Sequence, residues 1–252
     1  MKEQIHTIPI SDAFASGDEC PFCYIERETE QRLLRFCLGA SASYMEPEVR
    51  NITNQQGFCR GHHKKMFDFS NALGNALIMQ SYMAGLIEEM QYVRAEQRIP
   101  GKKGLFHKKD QPNDPLLAWA KQKQSSCYIC ARLEETMDRS YSVFFSLLKE
   151  VEFRQSVENC KGFCMEHFAQ LLEQAQGKLP DKHRSWFYET IPELMENHMV
   201  RVKEDLDWFT AKFDYRNASA DWKNSKDAVQ RSMQKLRGGY PADPPYRDKG
   251  RP

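Results

Sequence analysis

No stretch of the 252-residue chain reaches the roughly 18 uninterrupted apolar residues of a membrane-spanning helix. The best candidate, Leu77 to Ile87, is broken by Gln80, Ser81 and Tyr82. The opening residues, MKEQIHTIPISDAFASG, lack the apolar centre of a secretion signal, and a cytoplasmic chain is expected. Charge of one sign is missing too, with 36 Lys and Arg against 35 Asp and Glu. A net charge of +1 removes the electrostatic footprint of a nucleic-acid binder, and no basic recognition helix replaces it. Strand-type alternation is almost absent, which excludes β architectures and thioredoxin-like βαβ units. Nucleophile–base pairs, phosphate loops and paired-carboxylate motifs are lacking as well. The sequence therefore offers no catalytic constellation.

What is present is a core-forming share of hydrophobic residues, 40%, at a low mean hydropathy of -0.71, so the apolar material lies in narrow stripes. Eight cysteines are distributed in a pattern. Cys20 and Cys23 form one C-x-x-C, and Cys127 and Cys130 form another. Gly57-Phe58-Cys59-Arg60-Gly61-His62 follows the first, and Gly162-Phe163-Cys164-Met165-Glu166-His167 follows the second. Cys127 trails Cys20 by 107 residues and Cys164 trails Cys59 by 105, the near-constant offset of an internal repeat.

Three cysteines and a histidine per copy are the ligand set of a closed tetrahedral zinc site. A C-x-x-C turn folds its backbone under one ion. The second pair, spaced i and i+3, shares one face at the start of a helix, where anionic sulfur is favoured. The expected ligands are Cys20, Cys23, Cys59 and His62, then Cys127, Cys130, Cys164 and His167. Sharing within each copy is the simpler arrangement; the swapped one, with C-x-x-C of one copy meeting C-x-x-H of the other, remains open. His63 aligns with Phe168 in the second copy, so His62 is preferred as ligand. Two zinc ions are the expected cofactors, with an iron–sulfur cluster as the alternative for the same ligands. Cys37 sits on a stripe with Leu33, Leu34 and Leu38 and reads as core. Cys160 is a candidate free thiol beside the second motif.

Helical periods dominate the rest, and the expected fold is an all-α, internally duplicated helical bundle. Leu73, Leu77, Met83, Leu86, Ile87, Met90 and Val93 trace one apolar face between Ala72 and Gln97, which reads as core. Leu133, Met137, Tyr141, Phe144, Leu148 and Val151 recur in the second half. Met195, Met199, Val202, Leu206, Phe209 and Phe213 step by three and four as a packing seam. The expected organisation is a first metal-binding module over 1–98, a linker over 99–114, a second module over 115–213 and a C-terminal extension over 214–252. The linker is rich in Gly and Pro, and its Lys102, Lys103, Lys108 and Lys109 read as a solvated loop. Asp114-Pro115 reads as the cap and first position of the next helix. A short helix is expected from about Ser225 to Leu236.

The duplicated C-P-x-C and G-F-C-x-x-H strings are followed by W-F-x-x-K-F-D-Y-R and W-x-N-x-K-D-A, between Trp208 and Ala228. In this the chain resembles an uncharacterised prokaryotic family, domain of unknown function 6062, over about Cys20 to Gly238. The second module departs from the C-P-x-C form, with Tyr128 in place of Pro, and keeps its ligands. The resemblance implies a cytoplasmic helical protein with metal-type cysteines and supplies no activity. Asp214, Tyr215, Arg216, Trp222 and Lys226 form a candidate partner or ligand surface. The competing reading has Tyr215 and Trp222 locking the last helix down, with Asp214 and Arg216 paired at its edge. The functional expectation is a zinc-stabilised scaffold or adaptor for an unidentified protein partner. A redox, iron–sulfur or metal-handling role is the alternative, and a small-molecule cleft between the halves is a third possibility.

Overall fold

Four of the helices begin on a cysteine, and this shapes everything downstream. A computed structural model of the chain describes residues 7–39, 46–96 and 114–239. Among the described residues there are eleven α-helices and no strand, the all-α class expected. In chain order they are α1 (Ile8–Ala15), α2 (Pro21–Leu38), α3 (Pro47–Gln56), α4 (Arg60–Asp68), α5 (Ala72–Glu96), α6 (Pro115–Ser125), α7 (Tyr128–Leu147), α8 (Val151–Glu158), α9 (Met165–Lys178), α10 (Arg184–Ala211) and α11 (Ala228–Arg237). Cys20, Cys59, Cys127 and Cys164 immediately precede α2, α4, α7 and α9. Their carbonyls accept the first helical bonds, from the amides of Tyr24 (3.1 Å), His63 (2.9 Å), Ala131 (3.0 Å) and Phe168 (2.8 Å).

Helix α6 starts with ordinary capping chemistry. Asp114 Oδ1 accepts from the amides of Leu116 (3.0 Å) and Leu117 (3.2 Å), and Pro115 fills the first helical position, where no N–H is needed.

The described residues divide into two compact units, one made of residues 7–29 and 134–239, the other of residues 30–39, 46–96 and 114–133. Helices α2 and α7 carry the chain from one unit into the other. The first unit is organised around aromatic rings: Phe14 stacks on Phe144 at 5.9 Å, and Phe22 lies 6.0 Å from Phe163 and 4.6 Å from Tyr141. Helix α10 contributes Phe187, Ile191 and Met195 to this core, and α11 packs against α10 and α9. The second unit has a smaller core, in which Leu34, Leu38, Phe58, Met66, Phe69 and Ile78 surround Tyr128 and Ile129. Here α5 packs against α3, α4 and α6.

Most periodic segments form helices where expected, and two stripes differ in burial. The α10 seam buries Met195 and Val202, but Phe213 lies beyond the helix and is exposed. The α5 stripe is not core: Leu73, Met83, Ile87 and Met90 are exposed, and the only fully buried residue of that helix is Ile78. Leu86 and Val93 of the same stripe are half-buried, along an edge shared with Met79 and Tyr82. Cys37 is buried, as read. Residues 99–113 of the expected linker, with Lys102, Lys103, Lys108 and Lys109, lie outside the described residues, as does the tail from Tyr240.

Candidate metal centres

In each of the four cysteine-started helices, the first ligand precedes the helix and the second follows three residues later. This is the spacing of a capping box, whose two side chains meet over the unpaired amides of the first turn. At Cys164 the sulfur accepts from the His167 amide at 3.4 Å. Gly57 (φ 61°) and Gly162 (φ 77°) turn the chain into α4 and α9 in left-handed conformations. Gly57 is doubly constrained, because a Cβ there would lie 2.4 Å from the Tyr82 hydroxyl.

Two such helix starts converge on each cluster. Cys20, Cys23, Cys164 and His167 form the first, in the first unit; Cys59, His62, Cys127 and Cys130 form the second, in the second unit. All eight expected ligands are brought together, but not by sharing within each copy. The C-x-x-C at Cys20 meets the C-x-x-H at Cys164, and the C-x-x-C at Cys127 meets the C-x-x-H at Cys59. The aromatic residues inside the motifs account for the choice. Phe22 of the first C-x-x-C packs on Phe163 and, at 5.8 Å, on His167, whereas Tyr128 of the second packs on Phe58 at 6.4 Å.

The ligand atoms of each cluster lie within 4.8 Å of one another. In the first, Cys23 and Cys164 sulfurs are 3.7 Å apart, and His167 Nδ1 lies 3.4, 3.4 and 3.1 Å from the sulfurs of Cys20, Cys23 and Cys164. In the second, Cys59 and Cys130 sulfurs are 3.8 Å apart, and His62 Nδ1 lies 3.2, 3.3 and 3.4 Å from those of Cys59, Cys127 and Cys130. A tetrahedral zinc with bonds of about 2.3 Å to sulfur and about 2.05 Å to nitrogen sets these separations at roughly 3.8 and 3.5 Å. The donor set and its spacing therefore fit one tetrahedral ion per cluster.

The profile of a family of unknown function, DUF6062, matches residues 1–243. The chain belongs to DUF6062. It is also similar to an uncharacterized 23.9 kDa protein encoded in the xynA 3' region of Caldicellulosiruptor sp. (strain Rt8B.4), 22% identical over 203 residues, covering 79% of this chain and 85% of that protein. No solved structure matches.

Outside the ligands, this DUF6062 chain places a carboxylate behind each histidine. Glu30 Oε1 lies 3.0 Å from His62 Nε2 and also meets Lys65; Glu26 Oε2 lies 3.7 Å from His167 Nε2. Such a carboxylate fixes the ring so that Nδ1 faces the sulfurs. Both glutamates lie on α2, and nothing in their spacing from the cysteines signals the role.

The electrostatics divide the clustered sulfurs: burial pushes Cys20 up and Cys130 to about 12, and a hydrogen bond to Cys164 raises Cys23, whereas Cys164 and Cys127 are lowered. Hydrogen bonds from Cys20 and Cys23 hold the Cys164 thiol far below its ordinary range, against burial. At Cys127 burial pushes the thiol up, but the His62 hydrogen bond and the amides of Cys130 and Cys59 outweigh it, to about 6. Burial alone would lower both histidines. Hydrogen bonds to Cys164 and Cys23 carry His167 up to about 10, and those to Cys127 and Glu30 do the same for His62. The two thiols outside the clusters are raised too: burial takes Cys37 to about 12 and Cys160 to about 11, which leaves Cys160 protonated and enclosed rather than poised for exchange.

The first cluster has a cover that sequence reasoning missed. Lys235 of α11, 2% exposed, donates to the carbonyl of Glu19 at 2.6 Å and to that of Lys161. It thus joins the residue before Cys20 to the residue before Gly162. Gln234 reaches Asp18 Oδ1 at 2.7 Å, and Arg231 reaches Asp205 at 2.9 Å and Asp227 at 2.8 Å. Gly238 (φ 76°) ends α11 against the sulfurs, where a Cβ would lie 3.4 Å from Cys164 Sγ and 3.6 Å from Cys23 Sγ.

At the proposed C-terminal surface, Asp214 and Arg216 pair at 2.6 Å, and Tyr215 is 87% exposed, so it locks nothing down. Trp222 packs on Phe209 at 5.7 Å beneath the Lys212 ammonium, and Lys212 holds the following loop by the carbonyls of Asn217, Ala218 and Ala220. Lys226 is exposed. The open depression beside it, about 500 Å³, is lined by Glu204, Asp205, Asp207, Trp208, Ala211 and Lys223 and includes none of the five expected residues.

Proposed function

We propose that each cluster binds one zinc ion in a structural role, and that the protein is a zinc-stabilised helical scaffold or adaptor. The observation that carries this reading is the ligand geometry: four protein ligands at tetrahedral spacing, supplied by two helix starts far apart in the chain. A coordinatively full zinc keeps no open position for water or substrate, so its contribution is to folding. The spacing also favours a single ion over an iron–sulfur cluster, whose inorganic sulfides would hold the ligands further apart. Helix starts without metal would bring three thiols and a histidine together at a cost in charge and chain entropy.

Elemental analysis of anaerobically purified protein, with an absorbance spectrum of the same sample, tests this. Two zinc ions per chain, no visible absorption, and loss of helical circular dichroism on chelation are expected. Iron with sulfide and visible absorption would make electron transfer or sensing the leading account. Metal-free, fully folded protein would remove the structural role altogether.

One observation favours a second reading for the second cluster, metal handling. Cys130 is exposed and Cys59 half-exposed, so a competing ligand has access to two of its four sulfur and nitrogen donors.

A further inference from the structure

Helix α5 exposes a seam whose spacing is that of a helix pair. Leu73, Ala76, Gln80, Met83, Ile87 and Met90 are all exposed, and they step by three, four, three, four and three. This is the a/d repeat of a coiled coil, with a period of 3.5 residues. Over seventeen residues the seam runs about 26 Å. It carries no charged residue from Leu73 to Ile87. Leu73 at 71%, Met83 at 59% and Ile87 at 54% exposure make it an apolar face without a described cover, on a helix whose other edge already packs in its own unit.

We infer that this seam pairs antiparallel with the same seam of a second copy. The spacing reads the same in both directions, so a twofold axis between Ser81 and Tyr82 aligns every layer. Leu73 then meets Met90, Ala76 meets Ile87, and Gln80 meets Met83, in two symmetry-related sets. The pairing sets the smallest seam residue against the β-branched one, so the large side chain fills the space that an Ala–Ala layer of a parallel pair would leave empty. It also sets Glu88 beside the first turn of the partner helix, where the dipole favours an anion, whereas a parallel pair aligns both dipoles and both Glu88 side chains. Self-complementarity of this kind is the signature of an isologous dimer. The inference does not depend on which metal the clusters hold.

Sedimentation equilibrium of the full metal-loaded chain is the test, with zinc measured on the same samples. The native protein is expected to be a dimer. Ile87→Glu and Ala76→Lys should each weaken the dimer at least about tenfold, because each desolvates an unpaired charge twice per interface. Both positions are exposed, so helical content and metal content should stay unchanged. The double variant Ala76→Lys/Ile87→Glu places Lys opposite Glu in both symmetry-related layers and should restore association. A native chain that is monomeric up to about 1 mM, the weak limit of specific association, overturns the inference. So does a dimer that neither single variant weakens, or a double variant no tighter than the singles.

Discussion

The two clusters share a ligand set and a construction, yet one is enclosed and the other open. Cys20, Cys23, Cys164 and His167 are all buried, beneath the end of α11 and beside a core of stacked aromatic rings. Cys59 and Cys130 of the second cluster reach solvent, and its core is smaller. The fastening differs in the same way. In the second cluster Ser126 Oγ donates directly to the Gln56 carbonyl at 2.7 Å and the Tyr128 amide to the Gly57 carbonyl at 2.9 Å, so the two motif loops hold one another. In the first, the corresponding loop carbonyls, Glu19 and Lys161, are joined by the ammonium of Lys235, brought from another helix. The same donor set thus sits in two different solvent environments.

Removing one clustered cysteine from each site should have the largest effect. Cys164→Ser should cost one metal ion and several kcal/mol, since structural zinc contributes about 10–16 kcal/mol of apparent binding energy and a buried cluster with a lost ligand cannot rehydrate. Cys130→Ser should also cost one ion but leave the first unit cooperative and folded. Metal release to a chromogenic chelator, followed with thermal unfolding, measures both. In the native protein release should be biphasic, with the Cys130→Ser variant missing the fast phase. A single phase for two ions would show that exposure does not control exchange.

The fastenings offer a smaller contrast. Lys235→Met removes a buried ammonium from two carbonyls and from Glu19, at 3.3 Å, and should destabilise by about 3 kcal/mol while speeding metal loss from the first cluster only. Ser126→Ala should cost about 1 kcal/mol and act on the second cluster only. Chemical denaturation paired with chelator kinetics would read both effects. Smallest is the contrast between the carboxylates. Glu30→Gln should lower zinc affinity at the second cluster by about 10–100-fold, because Glu30 is buried and within hydrogen-bond distance of its histidine. Glu26→Gln should change the first cluster less, its oxygen being 3.7 Å away on a half-exposed side chain. Competition titrations against a zinc indicator distinguish the two.

Helix positions and all eight clustered side chains were legible in the sequence because they are written locally, in periodicity, caps and spacing. Cys59 and Cys164 have the same neighbours and the same offset to a histidine, so no local feature says which C-x-x-C each will meet. That information resides in packing, where Phe22 finds Phe163 and Tyr128 finds Phe58. The cover of the first cluster was hidden for a related reason. Lys235, Gln234 and Arg231 are polar residues buried by their hydrogen bonds, and a hydrophobic pattern places such residues in solvent. The α5 stripe failed in the opposite direction, since period identifies an apolar face but not whether the same chain covers it.

The pairing of motifs also makes the clusters nested along the chain. The inner one closes a span of 65 residues between His62 and Cys127, inside the span of 141 that the outer one closes between Cys23 and Cys164. A chain emerging from the ribosome therefore exposes the complete inner ligand set before Cys164 and His167 emerge. Once closed, the inner cluster roughly halves the free length that the outer must gather, a saving of about 0.6 kcal/mol in loop entropy. The open cluster is thus the one that synthesis can complete first, and the enclosed cluster, sealed by the late-arriving α11, is the one that finishes the fold.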